Sequence, residues 1–102
     1  MADAPDDRLL ITEFERRRDG MIHAMEGRLW LHRHVWHGRA MAHLVSTDLE
    51  GLLEYGRRHG LPEHRLQFKP LKDPRTNERC NAWHWDLAGR LIPSPQLAAA
   101  AD

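Results

Sequence analysis

One cysteine, no long apolar run and no surplus of either charge are the first limits this 102-residue sequence sets. Cys80 cannot form an internal disulfide, which fits a reducing compartment. With only Arg79 beside it as an activator, it also makes a poor nucleophile. No stretch approaches the roughly 20 apolar residues that span a bilayer. The opening Met1-Ala2-Asp3-Ala4-Pro5-Asp6-Asp7 is acidic and lacks the apolar segment of a secretory signal, so the cytoplasm is the expected location. No Gly-rich phosphate loop, Cys-x-x-Cys pair or Gly-x-Ser-x-Gly elbow occurs, so none of those chemistries is indicated. Lys plus Arg and Asp plus Glu number 15 each, far from the strongly basic footprint of a dedicated nucleic-acid binder.

What is present is an ordinary globular composition, 41% hydrophobic and 29% charged, with room for one hydrophobic core. The charge is uneven. Residues 1–26 carry 4 Arg against 7 acidic residues, while residues 27–90 carry 11 basic against 7 acidic. The folded part is therefore mildly basic, and eight histidines add charge below about pH 6.5. Such a balance permits a phosphate-bearing partner without requiring one.

The expected fold is α+β: a small single domain in which an antiparallel β-hairpin or meander packs against one well-capped helix, with a further N-terminal helix. The domain is expected over residues 8–92, between flexible tails at 1–7 and 93–102. Arg8 to Arg18 fits a helical pattern through Leu10 and Phe14, and a strand pattern through Leu9, Ile11 and Glu13. The helix, capped by Asp6 or Asp7, is the expectation. Asp19-Gly20 reads as a turn. Met21 to Ser46 reads as β, with Trp30, His32, His34 and Trp36 on one face and Leu29, Leu31, Arg33 and Val35 on the other. Gly38-Arg39 meets the type II′ requirement for a two-residue hairpin loop. Thr47 and Glu50 form a capping box for a helix that ends at Gly60 before Pro62. Arg65 to Phe68 suggests a short strand and Lys69 to Asn81 a long polar loop. Ala82 to Leu87 alternates, with Trp83, Trp85 and Leu87 opposite His84 and Asp86.

The hairpin register carries the main chemical expectation. A Gly38-Arg39 loop opposes His34 to His43 and puts His32 on the same face. Opposed Cβ atoms stand about 4.5–5.5 Å apart, so His32, His34 and His43 could share a divalent metal such as zinc, with an open position for water. His84 and Asp86 could add a ligand, a general base or an orienting carboxylate. A one-residue slip removes His43 from the face, and the same residues can instead form an exposed polar-aromatic surface. His23, His37, His59 and His64 read as surface or capping residues. Most of the four tryptophans read as core, with base stacking as the alternative.

Ala42-His43-Leu44-Val45, the helix from Leu49 to Gly60-Leu61, Gln67-Phe68 and His84-Trp85-Asp86-Leu87 together resemble the bacterial and phage domain-of-unknown-function family 4031 over roughly residues 36–87. Trp85 stands where the family has tyrosine, Gln67-Phe68 has the reverse order, and Gly89 and Pro93-Ser94-Pro95 interrupt the segment where the family has a basic helix. The resemblance implies that His43, His84 and Asp86 are the functional residues, and it carries no established activity. Three functions follow as expectations. The first is a metal-assisted phosphodiester hydrolase, nuclease-like, with His43, His84 and Asp86 as its centre and Lys69, Lys72, Arg75 and Arg79 holding phosphate. The second is a nucleic-acid-binding module without chemistry. The third is a phage or bacterial regulator that inhibits a protein partner.

Overall fold

His37 and Gly38 both take positive φ, 50° and 73°. A two-residue type I′ loop demands this at both central positions, and the loop sets the register of the central hairpin. The computed structural model describes residues 7–98. Its strands are β1 (Ile11–Glu13), β2 (Leu29–Trp36), β3 (Arg39–Ser46), β4 (Gln67–Phe68), β5 (Leu71–Lys72), β6 (Arg79–Cys80), β7 (Trp83–Ala88) and β8 (Gln96–Leu97). Its helices are α1 (Arg17–Met25) and α2 (Leu49–His59). The main sheet is mixed, in the order β4-β7-β3-β2-β1-β8, and β5 and β6 form a separate two-stranded ribbon. The fold is α+β, as expected. Among the described residues no helix is long and apolar enough to cross a membrane.

The hairpin closes one residue earlier than Gly38-Arg39, so His32 opposes His43, and His34 opposes Met41. Moving a two-residue loop by one position shifts each partner by two. The faces therefore keep their parity, and His32, His34 and His43 still share one side. A helix at 8–18 does not form. Asp7–Leu9 is a single short helical turn, and Ile11–Glu13 is a strand parallel to β2. Met21–Met25 is helical rather than extended, and Asp19-Gly20 lies inside α1 instead of in a turn. Parallel strands need a crossover connection, and α1 supplies it between β1 and β2.

The first half of β2 is covered on both sides. On one, Leu29, Leu31, Ala42, Leu44, Trp85 and Leu87 form the main core with Leu52 and Tyr55 of α2. On the other, Trp30 and Val45 pack against Ala24 of α1. Gly20 lies so close to Trp30 that a β-carbon there would overlap Nε1 and Cε2 of the indole. Beyond this double cover the hairpin tip is open, with Val35 75% and Trp36 59% exposed.

The α2 cap is Asp48, not Thr47: its carboxylate accepts the Gly51 amide at 3.1 Å. Thr47 instead donates both its hydroxyl, at 2.7 Å, and its backbone amide, at 3.1 Å, to the Ala24 carbonyl near the end of α1, which also accepts the Gly27 amide. Gly60 ends α2 at φ 70°, as expected. Arg65 and Leu66 lie outside the short strand, which is confined to Gln67–Phe68. The span 69–81 contains the β5–β6 ribbon, with the Asp73 amide donating to the Glu78 carbonyl at 2.8 Å, so it is not a featureless loop. Gln96–Leu97 pairs with β1 where a loose tail was expected. The expected tail positions 1–6 and 99–102 lie outside the described residues.

Candidate metal centre

Three strands carry one row of side chains. His32 of β2 pairs with His43 of β3, which pairs with Asp86 of β7. The next row holds Trp30, Val45, His84 and Gln67, the last from β4. Strand alternation brings all of these to one sheet face, the face that α1 covers farther along.

At its middle, His43 Nε2 lies 2.7 Å from Asp86 Oδ1, and His84 Nε2 lies 3.4 Å from the same oxygen. One ligand atom from each of His43, His84 and Asp86 falls within 4.8 Å of the others, a group that could hold a metal ion. Two donors about 2.0–2.1 Å from a tetrahedral zinc ion stand about 3.4 Å apart, so the three side chains would have to rotate to close on an ion. The donor set of two imidazoles and one carboxylate, open on one side, suits a catalytic rather than a structural ion. Asp86 is oriented from behind by Gln67, whose Nε2 donates to Oδ2 at 2.5 Å.

The electrostatics keep the imidazoles neutral, the form that binds metals. Burial pushes His43 down to about 4, helped by His84 and opposed by Asp86. Burial also lowers His84, with Asp86 opposing and Lys69 assisting. His32 is lowered by burial and then by Arg17.

Of the three expected metal ligands, only His43 belongs to the converging group. The His34 ring lies 4.5 Å from that of His43, and its buried Nδ1 has no hydrogen-bond partner among the described residues. The His32 ring stacks on Trp30 at 5.0 Å. His43, His84 and Asp86, expected as the catalytic centre, do come together.

The expected phosphate-binding residues divide. Lys69 lines a shallow pocket with His32, His43 and His84, an empty volume of about 350 Å³ that includes open solvent. Arg75 is held by the Asp73 carboxylate, Nη2 to Oδ2 at 3.0 Å. Lys72 and Arg79 face each other across the β5–β6 ribbon and are not among the pocket's walls. Asp86 is exposed and joins the two histidines from outside the pocket.

Two residues of this neighbourhood went unassigned in the sequence. Arg17, on the pocket wall, sits at the first position of α1, a helix the sequence pattern did not reveal. Gln67 acts through a two-residue strand, too short to show a period. Its place beside Phe68 in the family-like step was the only signal. Set against protein families, curated proteins and solved structures, this chain finds no match.

Proposed function

We propose that His43, His84 and Asp86 bind a divalent metal such as zinc and that the protein hydrolyses a phosphodiester there. The convergence of their three ligand atoms carries the reading. A bound divalent ion would supply a nucleophile by lowering the pKa of water towards about 7, and would offset phosphate charge. The protein's own part is to present two neutral imidazoles and a carboxylate already oriented by Gln67. Lys69 and Arg17 on the pocket wall offer cationic partners to an anionic substrate. The family resemblance falls on the same three residues. A regulator acting through a tryptophan-rich face is less well supported, because Trp36 is the only exposed tryptophan among the four.

Zinc titration of the metal-stripped, untagged protein, followed by an assay with bis(4-nitrophenyl) phosphate, tests the proposal. One ion per chain, lost in His84→Ala, together with metal-dependent release of nitrophenol, is the expected result. Failure to take up zinc, manganese or iron would remove the metal centre. Uptake without hydrolysis would remove the hydrolase.

A further inference from the structure

We infer that the β2–β3 ribbon is a track for a single-stranded polynucleotide, with a base stacked on Trp36 and the sugar-phosphate chain running back along the same sheet face towards His43. As a statement about substrate it rests on the hydrolase reading; the binding itself needs no metal.

Exposure comes first. From Arg33 to Ala40 every residue except His34 is exposed, although the same ribbon buries Trp30 and Leu31 almost completely at its other end. The tip thus leaves a large indole 59% open to solvent, its one ring contact among the described residues being a T-shaped approach to His37 at 4.1 Å. Charge comes second. From Arg28 to Ser46 the sequence holds three arginines and four histidines and no acidic residue. Arg33 is on the opposite face and paired with Glu13, but Arg39 stands directly across from Trp36 on the face in question.

Geometry ties the tip to the metal group. Trp36, His34 and His32 alternate onto one face, and His32 pairs with His43. At about 3.3 Å per residue, Trp36 lies about 13 Å along the ribbon from the His32 row. A polyanion crossing that distance meets Arg39 at one end and Lys69 and Arg17 at the other. A single strand fits this surface better than a duplex. Its bases are free to lie on an exposed ring, an interaction that tolerates any base, whereas a duplex keeps its bases stacked on one another.

Fluorescence anisotropy tests the inference, using labelled ten-residue oligothymidylate, oligouridylate and a mixed-sequence duplex with metal-stripped protein in EDTA. At least one single strand should bind more tightly than the duplex, and binding should weaken as salt rises. The two single strands distinguish DNA from RNA as the source of the chain. Trp36→Ala should weaken binding about 10-fold and Trp36→Phe should retain most of it, with the melting temperature and zinc uptake unchanged because the side chain is exposed. Equal binding by wild type and Trp36→Ala overturns the inference, as does tighter binding of the duplex, which would mark a ribbon that reads a groove. Absence of binding to all three also overturns it. Bis(4-nitrophenyl) phosphate hydrolysis without oligonucleotide binding removes the track and keeps the hydrolase. Oligonucleotide binding without zinc uptake does the reverse.

Discussion

The Gln67 side-chain amide holds one oxygen of Asp86, Oδ2, and leaves the other to face His43 and His84. A ligating carboxylate fixed in this way keeps its orientation when an ion arrives or leaves. Loss of such an outer partner typically costs about 10–100-fold in metal affinity. Gln67→Ala is therefore expected to weaken zinc binding by about that factor, measured by competition with a chromogenic chelator. Since Gln67 is exposed, its melting temperature should change little. Unchanged affinity would place Asp86 outside the ligand set.

Gly20 and Trp30 give a second expectation. A methyl group at Gly20 has no room against the indole, and overpacking of this kind costs about 1–3 kcal/mol. Gly20→Ala should lower the melting temperature. Because the His32 ring stacks on Trp30, the His32 resonances should shift as well. The same substitution at Gly38, where a β-carbon would meet nothing within 4 Å, acts only through its φ of 73° and should leave His32 undisturbed.

The start of α2 separates two neighbours by mechanism. Asp48→Ala removes the cap, a loss of about 0.5–2 kcal/mol, together with the Arg8 ion pair at 2.7 Å. Thr47→Ala removes no cap and takes the hydroxyl donor from the Ala24 carbonyl, a loss of about 0.5–1.5 kcal/mol, while the Gly27 amide and the backbone amide of position 47 still donate to it. Both variants should melt earlier. Amide exchange tells them apart: faster in the first turn of α2 for Asp48→Ala, and in the last turn of α1 for Thr47→Ala.

Acid should loosen the metal-free fold. His23, His32, His43 and His84 all have pKa values below the ordinary 6.5, with burial the largest cause in each. Above about pH 6.5 these imidazoles are neutral in folded and unfolded chains alike. As pH falls below that value the unfolded chain takes up protons first, so stability declines until the folded values are reached, about 4 for His43. Melting temperatures in EDTA should drop between about pH 6.5 and 4, and His43→Asn should make the decline shallower. A flat profile would mean that the histidines are solvated.

The candidate site was readable where it depended on alternation and unreadable where it depended on distant pairing. Period two put His32, His34 and His43 on one face, and that assignment survived a misplaced loop only because the error moved partners by an even number. The loop itself was obscured by His37, since a residue other than glycine at positive φ is uncommon. The helix α1 was missed because the residues it buries, Gly20 and Ala24, are small; a large apolar stripe was never there to find. Thr47 resembled a cap because Asp48, the next residue, offers the same chemistry one step along. The meeting of His43 with Asp86 needs β3 and β7 side by side, with α2 and the β5–β6 ribbon intervening in the chain, and no local pattern reports that.

Trp85 stands between His84 and Asp86 and points to the opposite side of β7. There its indole nitrogen donates to the Leu52 carbonyl at 2.9 Å, and its ring fills the space that a side chain on Gly56 would need, 2.5 Å from a β-carbon to Cζ2. The backbone that carries two of the three candidate donors is thus anchored by a residue whose ring packs on the opposite face of the sheet. An arriving ion would find little conformational entropy left to remove from β7, and most of its binding energy would remain for dehydration and coordination.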